Sequence, residues 1–188
     1  MDRDTIRTGI LRYFARGIPD FKEQLDPKTG RILEKNGGWS IGGQDAMYPL
    51  ALLYLNKGTR WYRNKQVLRW AVRTGDALRD FQRKDGSWEF VKADGSRCGR
   101  TTMPWPMFHW LEAYRLLKDH LRPAEAGSWA TGLRLWCGAV SGEIGPQTHI
   151  HNIPAYQAAI LVRAGQVFGE GAWTAQGRDY LHRIIAAQ

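Results

Sequence analysis

The stretch Gln147-Thr-His-Ile-His-Asn-Ile-Pro-Ala-Tyr-Gln157 gathers more chemically useful side chains than any other part of the chain. His149 and His151 stand two apart in what reads as an extended lead-in. Asn152 and Tyr156 stand four apart and share one face of the helix that Pro154 helps to start. A helix N-terminus carries partial positive charge and unpaired N–H groups, so an anion is well placed there. Imidazole, amide and phenol would converge on a bound carboxylate, with Gln157 beside them. The competing reading makes Asn152 a helix cap, His149 and His151 loop residues satisfied by the backbone, and Tyr156 a packing residue. A zinc site from the two histidines lacks a visible third ligand, and no cofactor is expected.

Other residues could contact a ligand. Trp39, Trp88, Trp105 and Trp110 are candidate stacking platforms, and Trp105 leads because Pro104 and Pro106 flank it at the start of a helix. Arg97 and Arg100, beside Gly95 and Gly99 in what reads as a loop, are candidate anion contacts, and Tyr48 is a further candidate phenol. Asp45 sits where a helix cap would, His109 falls inside an aromatic helix as a core histidine would, and Cys98 and Cys137 read as bystander thiols.

Repeated elements must position these groups. Ala46–Leu55, Met103–Leu117 and His151–Val162 each place a proline (Pro49, Pro106, Pro154) ahead of an apolar, aromatic or alanine-rich run. Proline is tolerated in a first helical turn, where its missing N–H has no partner to lose. Between these runs lie amphipathic stretches, about 4–24, 60–82, 125–140 and 173–188. In the second, Val67, Trp70, Ala71, Thr74, Ala77, Leu78 and Phe81 recur at steps of three and four. Apolar helices alternating with amphipathic ones predict an all-α fold with an inner and an outer helix layer. Asn36-Gly-Gly-Trp39 and Asp85-Gly-Ser-Trp88 predict the same tight turn twice, and short strands are expected at Arg31 to Glu34 and Trp88 to Val91.

The 188 residues suit one domain, 1–188, and the 43% hydrophobic content suits a packed core. A net charge of +9 favours a polyanionic partner. Nucleic acid is the least expected, because the basic residues never form a block and no recognition motif appears. Nine tryptophans, seven tyrosines and six phenylalanines exceed what a core of this size would call for, and sugar rings stack on such side chains. No apolar run reaches the length of a membrane span and the N-terminus lacks a signal-like apolar segment, so a soluble domain is expected, with its compartment open.

Gln82-Arg-Lys-Asp-Gly-Ser-Trp88 fits the Gln-x3-Gly-x-Trp pattern of terpene cyclases, but no Asp-rich acid motif accompanies it. The fuller resemblance is to the α/α-toroid polysaccharide lyases, of the heparinase II/III-like and alginate or hyaluronate lyase-like kinds. It rests on the repeated Gly-x-Trp turns, on Trp105-Pro-Met-Phe-His-Trp-Leu-Glu-Ala-Tyr114 and on Thr148–Gln157. About three helical hairpins are present where such toroids have five to seven. An N-terminal part of a toroid, or half-rings closed as a homodimer, is therefore expected.

The resemblance implies β-elimination on an acidic, uronate-containing polysaccharide. Asn152 would neutralise the carboxylate, His151 would take the C5 proton and Tyr156 would serve the leaving oxygen. In the family the tyrosine comes from another segment, which keeps Tyr48 and Tyr114 in play. Contacts to the polymer would come from His149, Gln157, Trp105, Trp88, Tyr48, Arg97 and Arg100. Two alternatives stay open: an α/α-barrel glycoside hydrolase of the unsaturated uronyl type, with Asp45, Glu112 or Glu143 as acid, and a non-catalytic helical repeat that binds an acidic polymer or protein.

Overall fold

The structure, a computed structural model, describes residues 2–144 and 151–186. The chain is mostly helical: α1 (Arg3–Arg16), α2 (Ile18–Gln24), α3 (Met47–Leu55), α4 (Lys65–Phe81), α5 (Pro104–Leu117), α6 (Pro123–Ile144), α7 (Asn152–Phe168) and α8 (Gly171–Ala186). A two-stranded antiparallel hairpin, β1 (Trp88–Val91) and β2 (Arg97–Thr101), links α4 to α5.

The expected alternation is present as packing. Helices α3, α5 and α7 lie side by side in one layer, α4, α6 and α8 in the other, and each inner helix also packs on the outer helix that follows it. Pro49, Pro106 and Pro154 each occupy the third position of their helix, inside the first turn whose N–H groups have no intrahelical acceptor. The predicted stripe of α4 is buried at Val67, Ala71, Thr74, Ala77 and Leu78, whereas Phe81 at its end is exposed.

The two tight turns use one device. Asn36 Oδ1 accepts from the Gly38 N–H and Asp85 Oδ1 from the Ser87 N–H, while Gly37 and Gly86 take positive φ. A Cβ on Gly86 would also lie 2.3 Å from the Leu135 carbonyl oxygen of α6. Each tryptophan then folds inward: Trp39 Nε1 donates to Gln44 and Trp88 Nε1 to the Leu78 carbonyl. A glutamine ties each turn region to an outer helix. Gln44 donates to the Gly30 and Thr74 carbonyls, and Gln82 donates to those of Gly86 and Gly132.

Several expectations change. The stretch 4–24 is broken at Gly17, because Pro19 lacks the N–H that a continuous helix would use there. Arg31 to Glu34 forms no strand and contributes only an isolated bridge between Leu25 and Ile32. Most of the tryptophan is taken up by the interior: Trp39, Trp88, Trp110, Trp129 and Trp136 are buried, Trp61, Trp70 and Trp173 are partly buried, and Trp105 is exposed, at 38%. Among the described residues no helix is long and apolar enough to cross a membrane.

Candidate functional site at the inner-helix mouths

Because α3, α5 and α7 alternate with outer helices, they run in the same direction and their N-termini share one end of the array. An aromatic row crosses all three there. The ring of Tyr48 on α3 meets Phe108 and His109 of α5 edge-on, each at 6.0 Å, and Tyr156 of α7 lies 5.8 Å from Phe108 and 6.2 Å from Trp105. Helical spacing explains the convergence. Residues 105, 108, 109 and 112 share one face of α5, while Met107, Trp110, Leu111, Ala113 and Leu117 are fully buried.

The two tyrosines keep their chemistry available. Among the described residues, neither the Tyr48 nor the Tyr156 hydroxyl has a hydrogen-bond partner. Burial pushes both phenols above their ordinary pKa, with Glu112 adding to the effect at Tyr48. Both remain protonated at neutral pH and can donate to a ligand. Burial lowers the pKa of His109, partly offset by the charge of Asp45, so its imidazole is neutral at pH 7. Its Nδ1 is buried without a partner among the described residues. Protein packed around the Asp45 carboxyl raises its pKa, with His109 opposing that shift, although the residue as a whole keeps an exposed surface.

Further along the same faces lies a charged group. Glu112, only 4% exposed, accepts from Arg115 at 2.8 and 2.9 Å and from Arg163 Nε at 2.6 Å. Burial alone would raise the pKa of this carboxyl, but the hydrogen bonds from Arg163 and Arg115 outweigh it and hold the value below the ordinary range. Two guanidiniums share one carboxylate, so this group carries a net positive charge beside Tyr48.

The anticipated residues divide accordingly. His151 stands at the N-cap of α7 in extended backbone, its side chain capping nothing, and Asn152 opens the helix, both exposed. Tyr156 follows on the face of Asn152, as its spacing predicts. His149 lies outside the described residues. Gln157 does not face a ligand: it is buried, and its Nε2 donates to the carbonyl and hydroxyl oxygens of Thr102, tying α7 to the end of the hairpin. Trp88, 1% exposed, is a core residue rather than a platform. Arg97 and Arg100 lie on β2, not in a loop. Arg100 is clamped between Asp85 and Glu143, which leaves its charge compensated.

Asp45 is not the cap of α3, because Ala46 holds that position without a side-chain bond. Arg115 and Arg163 went unread in the sequence. The signal was there in part: Arg163 follows Tyr156 by seven residues, two turns along one face. Among the described residues, no group of three or more His, Cys, Asp or Glu converges as a metal site would require. Comparison with protein-family models, with curated proteins and with solved structures gives no match.

Proposed function

We propose that the two-layer array is an arc of an α/α-toroid and that its inner-helix mouth cleaves a uronate-bearing polysaccharide by β-elimination. The observation that carries this reading is the pair of protonated phenols, Tyr48 and Tyr156, unengaged among the described residues, in one aromatic row with the exposed Trp105 and beside the surplus cation of the Glu112 group. Elimination requires three functions. The uronate carboxylate must be neutralised so that C5–H becomes acidic, a base must take that proton, and an acid must protonate O4 as the C4–O4 bond breaks and the C4–C5 double bond forms.

Asn152 and the first N–H groups of α7 would hold the carboxylate, the His151 imidazole would take the proton and Tyr156 would return one to O4. Trp105 offers the sugar ring an apolar face. His109, neutral through burial, is the second imidazole at the mouth. Of the candidate glycosidase acids, Glu112 and Glu143 are both engaged by arginines, which leaves Asp45, whose carboxyl pKa burial raises, as a single acid without a second free carboxylate among the three.

The test is ultraviolet absorbance from the unsaturated uronate product on incubation with alginate, hyaluronate or heparan sulfate. Wild-type protein is expected to generate it from at least one polymer. Tyr156→Phe should reduce the rate by about 100-fold or more, as for loss of a general acid, with unchanged thermal stability because the hydroxyl has no protein partner among the described residues. Binding of a polymer without any unsaturated product would refute the reaction.

A further inference from the structure

A concave space opens beside the hairpin, with a volume of ≈ 480 Å³, and it holds an unusual arginine. The Arg31 guanidinium lies 4.6 Å from the ring centroid of Trp39 and 3.8 Å from that of Phe81, and the two rings are 5.0 Å apart. Among the described residues its buried Nε has no acceptor and no carboxylate lies within ion-pair distance of it. Arg79, Arg83, Arg100, Arg115, Arg134 and Arg163, in contrast, each contact one. Burial accordingly depresses the Arg31 pKa, with only partial relief from Asp26.

Arg97 of β2 lines the same space and, among the described residues, also lacks an ion pair. The acid of the cavity, Glu89, already accepts from Arg83 and from the Gly99 N–H. Two cations without an ion pair among the described residues therefore face one cavity whose remaining walls include Trp39, Phe81 and Val91.

We infer that this cavity is a second binding site, for a carboxylate-bearing sugar ring. A guanidinium lying over two adjoining rings has one side covered by them and keeps N–H donors on its open edge, the geometry that pairs with a carboxylate. Its partial burial without a counter-ion leaves a desolvation cost that a bound anion offsets. The aromatic and aliphatic walls suit the apolar face of a sugar. The site forms where the connection from α2 to α3, which supplies Arg31 and Trp39, meets the end of α4 and the hairpin that leads into α5, and β2 runs from Arg97 toward Trp105. The choice of a uronate rests on the function proposed above; the need for an anion does not.

The test is a titration of 15N-labelled protein with sodium glucuronate, with glucose and sodium chloride as controls, following the Arg31 Nε–H and Trp39 indole N–H resonances. Glucuronate is expected to move both saturably and the controls to move neither. Arg97→Ala, a change on an exposed strand, should weaken binding about tenfold or more, the usual effect of losing a charged hydrogen bond. Arg31→Lys, which keeps the charge and loses the planar fork, should weaken it as well. Unmoved resonances, an equal response to glucose, or an unchanged affinity in Arg97→Ala would each overturn the site. No turnover is read. Binding without cleavage of any polymer sinks the elimination and leaves this cavity standing, whereas cleavage with both resonances unmoved sinks the cavity alone.

Discussion

Gly75, inside α4, faces Trp129 of α6 at close range. A Cβ built there would lie 2.2, 2.6 and 2.8 Å from three ring atoms of Trp129 on α6. That ring cannot easily turn aside, because it is fully buried, its Nε1 donates to Asp76 at 2.9 Å, and Trp110 meets it edge-on at 6.1 Å. Gly75→Ala therefore sets two effects against each other. Helix propensity favours alanine by about 1 kcal/mol, while forcing a methyl into a filled interface costs about 1–3 kcal/mol, and contacts below 3 Å to a fixed ring put this site at the upper end.

A net loss of about 1–2 kcal/mol follows, or a fall in Tm of about 2–8 °C for a chain of this size. Gly138 on α6 provides the control, since a Cβ there meets nothing within 4 Å. Gly138→Ala should raise Tm by about 1–4 °C through propensity alone. Thermal unfolding followed by circular dichroism measures both. Gly75→Ala on a Trp129→Leu background should lose most of its penalty, because the space is restored. If Gly75→Ala raises Tm as Gly138→Ala does, α4 and α6 are not packed in this way and the two-layer reading fails at its outer layer.

Other expectations concern titration and thiols. The Glu112 pKa is lowered in the folded state, so its stabilisation is fully present above the unfolded carboxylate pKa and is lost as pH falls through the folded value. Denaturant melts of Glu112→Gln against wild type should therefore differ most at pH 7 and converge as pH drops below the ordinary carboxylate range; a gap that does not narrow would refute the pairing with Arg115 and Arg163. Cys137 is buried and its thiol is pushed up to about 12, chiefly by burial, whereas Cys98 is exposed on β2. A thiol reagent at neutral pH should label one cysteine in native protein and both in denaturant, and two native equivalents would mean that the α6 core is open.

Much of the architecture was legible in the residue order because it depends on local chemistry. Three prolines in first turns, two Asx-Gly turns and a stripe at steps of three and four specify where helices start, stop and face, and all three features reappear in the folded chain. The aromatic mouth was partly legible for the same reason, since Asn152 and Tyr156 share a face by spacing alone.

What the tertiary structure decided was how each side chain is used. Trp88 and Trp105 both follow turn or proline signals, yet one is locked in the core by its bond to Leu78 and the other stays open. Arg31 and Arg100 are the same residue type, but Asp85 and Glu143, 15 residues before and 43 after Arg100, compensate one charge, while the other lies over two aromatic rings. Glu112 and Arg163 are 51 positions apart and meet only because α5 and α7 are neighbours in the inner layer. Backbone preference acts over a few residues and can be read in order along the chain. Charge compensation and exposure arise from pairs brought together by packing, which no short window of sequence contains.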